Sequence, residues 1–263
     1  MKRTIYFFII LAFLSALLTQ AGSDPIFADQ QHASATGKHA SLPATPDHPQ
    51  TLAAVKSFRC EDVTVVPVSE CQALVDLYAS TNGAGWTTNT NWLSDPDINT
   101  WFGIIVTEEH VTIVSLYGNH LDGIVQETIG RLTHLRLLEL AGNQIAGPIP
   151  ESMGLLIYLE EACFTNNSLT GPIPDSLGNM SSLLKLSFND NQLSGEIPAS
   201  LGNLTNLTKF SLGNNRLTGT IPDSLGQLVN LDRLEVYKNK LSGEIPDSLG
   251  QLTLLEDLLI FEN

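Results

Sequence analysis

The chain carries three cysteines, six histidines and an excess of carboxylates, the residue types that most often bind metals or run acid–base chemistry. Their spacing argues against both. His110, His120 and His134 do not approach metal-ligand spacing with carboxylates in register. His32, His39 and His48 are too widely and irregularly spaced for a metal-binding tract. Asp95-x-Asp97-x-Asn99 starts like a calcium loop, but the later glycine and terminal glutamate are missing, so it reads as a turn around Pro96. None of G-x-S-x-G, H-E-x-x-H and G-x-x-x-x-G-K occurs. These residues predict no catalysis, no metal and no cofactor.

The net charge of −15 repels polyanions, and no basic stripe with interleaved aromatics appears, which excludes nucleic acid as a partner. Lys2 and Arg3 precede an apolar run from Ile5 to Leu18 and the small-residue site Thr19-Gln20-Ala21, the layout of a secretory signal peptide over residues 1–21. That run is shorter than the roughly 20 residues of a spanning helix, and no second long apolar run follows. A secreted or cell-surface location is expected. Residues 22–57, with Pro25, Pro43, Pro46 and Pro49 among small polar residues, read as a flexible polar leader. Export permits disulfides. Cys60 and Cys71 lie close together and are the expected pair, with Cys163 the odd one of three.

Ser69 and Gln72 form a capping box, which predicts a helix from Ser69 with Cys71, Leu74, Val75 and Tyr78 along one apolar stripe. Trp86, Trp92 and Trp101 then crowd into a strand-poor segment and suggest a compact apolar lid. From residue 111 the sequence repeats. Asn119, Asn143, Asn167, Asn191, Asn215, Asn239 and Asn263 are spaced by 24 residues, and two glycine series keep the same step. Residues 111–263 hold about six and a half units of L-x-x-L-x-L-x-x-N-x-L-x-G-x-I-P-x-x-L-G-x-L. In one unit, Leu231, Leu234, Val236 and Leu241 point inward while Arg233, Glu235 and Tyr237 alternate outward on a strand. Each asparagine turns inward, and its amide pairs backbone groups that the dry interior would otherwise orphan. Glycines such as Gly195 allow a bend, Ile197-Pro198 runs extended, and Asp223-Ser224-Leu225-Gly226 suits a helical turn ended by left-handed glycine.

This unit resembles the plant-type leucine-rich repeat. Residues 58–110, from Cys71-Gln72-Ala73-Leu74 through Trp86, Asn91-Trp92-Leu93 and Trp101-Phe102-Gly103, resemble the N-terminal cap that accompanies it. Similar chains include receptor-kinase ectodomains, polygalacturonase-inhibiting proteins and secreted bacterial proteins. The resemblance implies an α/β solenoid, a right-handed horseshoe with a parallel sheet on its concave face and short helical or 3-10 turns on its convex face. It also implies a partner on that concave face: a protein, a peptide or a cell-wall carbohydrate. The family's cap usually has a cysteine pair around the Trp-x-Gly motif; here Asn99 and Val106 stand there, and Gln126 replaces the first repeat's proline.

The outward strand positions nominate Tyr117, Glu139, Glu161, Lys185, Asn189, Lys209, Arg233, Glu235, Tyr237 and Phe261 as ligand contacts. Lys185, Lys209 and Arg233 stack in one column, suited to an acidic peptide or a uronate polymer, unless Glu161, Glu235 and Asp257 compensate them. The seven asparagines are structural. The last unit stops at its asparagine with no polar capping repeat, so the chain is expected to be a fragment of a longer one unless something else covers that end. The expected role is a recognition module, with the targeting ectodomain of a longer receptor, adhesin or enzyme as the alternative.

Overall fold

The computed structural model describes residues 57–263; the expected signal peptide and all but the last residue of the expected leader lie outside them. Among the described residues, helix α1 (Val68–Ser80) lies in the cap and thirteen short strands follow. In chain order they are β1 (Ile104–Thr107), β2 (His110–Ser115), β3 (Asp122–Ile124), β4 (Leu137–Glu139), β5 (Gln144–Gly147), β6 (Glu161–Cys163) and β7 (Ser168–Gly171). The remaining six are β8 (Lys185–Ser187), β9 (Gln192–Glu196), β10 (Lys209–Ser211), β11 (Arg216–Thr218), β12 (Arg233–Glu235) and β13 (Asp257–Leu259). The main sheet runs β1-β2-β4-β6-β8-β10-β12-β13 and is parallel from β2 onward; β1 closes it as an antiparallel hairpin with β2. Register is one coil per strand, with Lys185, Lys209 and Arg233 directly paired. Each coil also returns through a short 3-10 turn such as Asp223–Gln227. The extended segment after each asparagine forms a second, parallel row, β3-β5-β7-β9-β11, which the residue pattern alone does not announce.

Between the two rows lies one continuous apolar core. Leucines from every coil, joined by Phe164, Phe188 and Phe210, are almost fully withdrawn from water. A single coil has one apolar side and no partner for it, so burial comes only from stacking. The asparagine amides seal the coil edges. Asn191 Nδ2 donates to Phe164 O at 2.9 Å and Phe188 O at 3.1 Å, while its Oδ1 accepts from the Leu169 N–H at 2.9 Å. From Asn143 to Asn263, each such side chain bonds the preceding coil as well as its own.

Two local expectations change. Helix α1 begins at Val68, ahead of Ser69, because the Pro67 carbonyl accepts from the N–H groups of Glu70 and Cys71 at 3.0 and 3.1 Å. Proline has no N–H to lose at a helix start, so Pro67 takes the place given to Ser69. Gln72 turns forward to Asp76 at 2.8 Å instead of back along the chain. The glycine that ends each 3-10 turn is not left-handed either. A Cβ on Gly226 would lie 2.6 Å from the Cβ of Ser248 in the next coil, so close packing demands glycine there. Gly195, by contrast, has φ of +81°, the bend expected of it.

The cap is held differently. Cys60 and Cys71 form a disulfide that ties the 3-10 turn Cys60–Asp62 to α1. Phe58, Trp101, Trp92, Trp86 and Tyr78 make an unbroken chain of ring contacts with centroids 4.8–5.3 Å apart. Asp95 and Asp97 accept backbone N–H groups two residues ahead, at 2.9 and 3.0 Å, which makes the segment around Pro96 a turn. Among the described residues no helix is long and apolar enough to cross a membrane.

Candidate ligand-binding face

The solvent side of the main sheet is built from three columns of side chains, because alternate strand residues leave the core and successive coils stack them in register. The first column runs Ile113, Leu137, Glu161, Lys185, Lys209, Arg233 and Asp257. Its cations are met by neighbouring carboxylates. Lys185 Nζ lies 3.2 Å from Glu161, and Arg233 lies 2.6 Å from Asp257 and 3.3 Å from Glu235. Lys185 and Arg233 thus face carboxylates of their own sheet.

The middle column runs Ser115, Glu139, Cys163, Ser187, Ser211, Glu235 and Leu259. Although it points away from the core, Cys163, Ser187 and Ser211 are 0% exposed, and Glu139 and Glu235 are 6% and 7%. Burial on this column therefore comes from the flanking columns and not from the core. The third column starts at Tyr117 and includes Thr165, Asn189, Gly213, Tyr237 and Phe261, of which Thr165 and Asn189 bond side chains of the middle column. Thr165 and Ser187 share a hydroxyl bond of 2.6 Å. Asn189 Nδ2 donates to Glu235 Oε2 at 2.7 Å, reaching across an intervening coil, and its Oδ1 accepts from the Gly213 N–H at 2.5 Å. Glycine at 213 makes room for Tyr237, whose ring would meet any Cβ placed there. Tyr237 in turn stacks on Phe261, with centroids 5.2 Å apart and planes within 13°.

Of the nominated contacts, Tyr117 and Phe261 are exposed. Glu139, Asn189 and Glu235 are withdrawn from solvent: Glu139 accepts from the Ala141 N–H at 3.0 Å, and the other two bond each other. Sequence alternation assigns a side chain to a face but says nothing of what its neighbours cover. In the middle column, the Ser211 Oγ is buried without a hydrogen-bond partner, an uncommon and costly state for a hydroxyl. Burial, with the Glu139 carboxylate beside it, pushes the Cys163 thiol far above its ordinary range and keeps it protonated, so it lacks the thiolate of a reactive cysteine.

The structure also joins residues that the sequence reading kept apart. Glu70 of α1, His110 of β2 and His134, one coil later, bring their ligand atoms within 4.8 Å of one another. The two histidines are a single repeat length apart, which is the clue their spacing held; the cap carboxylate gives no such clue.

Coils of one length, stacked strands, inward asparagines and a tryptophan-rich cap define a leucine-rich repeat solenoid, and the chain belongs to that family. The leucine-rich repeat region family matches residues 110–263. Among solved structures, the chain is similar to PEPR1–AtPEP1, with 29% identity and a TM-score of 0.66 over 73% of this chain and 28% of that one. The Arabidopsis receptor kinase HAESA, solved with the peptide hormone IDA and the co-receptor SERK1, shares 36% identity, TM-score 0.56, over 57% of this chain and 26% of HAESA. Pollen Receptor Kinase 3 shares 28% identity, TM-score 0.62, over 73% of this chain and 93% of that structure. The chain spans about a quarter of the length of the first receptors it matches. No curated protein gives a significant sequence match.

Proposed function

We propose that the protein is an extracellular, non-enzymatic recognition module that binds a peptide or a peptide segment of a protein on the solvent side of its main sheet. The observation that carries this reading is the Tyr237–Phe261 stack on the solvent side of the sheet, where the Phe261 ring stands exposed. Stacked, half-rigid aromatics offer contact area at low entropic cost, and aromatic residues dominate binding energy at interfaces. Several similar receptor structures are solved with peptide hormones, which supports a peptide over a carbohydrate as the ligand. The targeting ectodomain of a longer receptor is the same binding role in a larger chain.

The test is selection of peptides from a random display library on the full chain, followed by titration of a selected peptide against Tyr237→Ala and Phe261→Ala. Each substitution is expected to weaken binding at least ~10-fold, the loss of one aromatic anchor. Unchanged affinity in both variants places binding elsewhere and overturns the reading.

A further inference from the structure

We propose that Glu70, His110 and His134 form a binding site for a divalent transition-metal ion, with zinc the best match. The donors are two imidazoles and a carboxylate, the mixed nitrogen and oxygen set that suits zinc and its neighbours rather than calcium or magnesium. His110 Nδ1 lies 2.6 Å from Glu70 Oε1, and His134 Nδ1 lies 4.0 Å from the same oxygen. Ligands about 2.0–2.1 Å from a tetrahedral zinc ion stand roughly 3.3 Å apart, between those two distances. An imidazole lone pair lies in its ring plane, so the two stacked rings must turn apart before both Nδ1 atoms face one ion, a movement their partial exposure leaves room for.

The site is pre-organised around its carboxylate. Glu70 is 2% exposed, and its second oxygen accepts from the Val111 N–H at 2.7 Å, so Oε1 is held facing both rings. Such outer hydrogen bonds fix the direction of a metal ligand. The two imidazoles stack, centroids 3.5 Å apart and planes within 17°, because they occupy the same position in consecutive coils. Tyr158 fills that position in the next coil and stacks on His134 at 6.0 Å, forming a wall on the far side. An ion pair to Glu70 uses one imidazole; the second, aimed at the same oxygen, completes a three-donor set. The remaining coordination positions open to solvent, since His110 and His134 side chains are 31% and 46% exposed. On binding, the proton between His110 Nδ1 and Glu70 leaves for His110 Nε2 or water, freeing the Nδ1 lone pair.

The three donors come from α1, from the start of β2 and from the loop before β4, so the ion would clamp the cap to the first coils. Zinc chloride is titrated into the full chain, with unfolding temperature and heat of binding recorded for the wild type, His110→Ala, His134→Ala and, as control, His120→Ala. His134 is half exposed and its removal leaves the Glu70–Val111 bond intact, so that variant folds. At about 100 times its Kd, zinc is expected to raise the melting temperature by about 5 °C or more, with the shift lost in His110→Ala and His134→Ala and kept in His120→Ala. Cobalt substitution is expected to give the visible absorption of a four-coordinate ion. No shift in the wild type, or an equal shift in His134→Ala, overturns the proposal.

Discussion

In the coils, Asn191 bonds carbonyls of two successive coils, Phe164 and Phe188. At the cap boundary Asn119 occupies the same repeat position but turns to Thr88, bonding its carbonyl at 2.8 Å and its N–H at 2.7 Å. One residue type at one position thus performs two tasks: stitching like to like, and docking a unit of different shape. The coils gain order from repetition, so each device recurs and loss at one site propagates to both neighbours. The cap has no repeat to copy, and it relies on single features: one disulfide, one ring chain, one buried glutamate.

Breaking the amide seal sharpens that contrast most. Asn191→Ala leaves the buried Leu169 N–H without a partner and strips one of two amide bonds from each of the Phe164 and Phe188 carbonyls; it is expected to cost about 2–3 kcal/mol, against about 1 kcal/mol for Asn119→Ala, whose partner Thr88 is half-buried and can turn to water. Denaturant titration of the two variants checks this, and equal losses erase the distinction. Replacing Cys60 and Cys71 together by serine comes next, at about 2–3 kcal/mol. Hydrogen exchange should then show faster exchange across residues 68–80 while the coils keep their protection. Gly226→Ala drives a methyl into Ser248 and is expected to cost about 1–3 kcal/mol. Gly250→Ala, where a Cβ meets nothing within 4 Å, is expected to leave the melting temperature nearly unchanged.

The smallest effect concerns Glu127 on the turn face. Its partial burial works against ionisation, but hydrogen bonds from Ser152 and the Glu151 N–H outweigh that and hold its pKa below the ordinary 4.5. A lowered folded value means the stabilisation is present above pH 4.5 and is lost as pH falls through the folded value. Glu127→Gln should lower the melting temperature by less than about 1 °C at pH 7, since the group is exposed and screened, and by nothing near pH 2.

The coil was legible because leucine, asparagine and glycine recur at one period, and a period of 24 residues turns every position into a column. The same logic finds the pairing of His110 with His134 once the period is taken as a distance in space. Other features were opaque for physical reasons. Pro67 outcompetes the Ser69–Gln72 capping box through its carbonyl, which a side-chain pattern cannot reveal. Gly226 and its equivalents answer to a neighbour in the next coil, so their purpose is invisible within one repeat. Burial of Cys163, Ser187 and Ser211 on a solvent-facing column depends on what the flanking columns cover. Glu70 reaches His110 and Val111 across 40 and 41 residues with no periodic relation to either.

Recognition on the solvent side of the main sheet is tested most directly by hydrogen–deuterium exchange of the full chain with and without a saturating selected peptide. Added protection is expected in fragments covering residues 209–213, 233–237 and 257–261, with the 3-10 turns at 199–203 and 223–227 unchanged. Protection confined to those turns, or to the cap, would contradict the account.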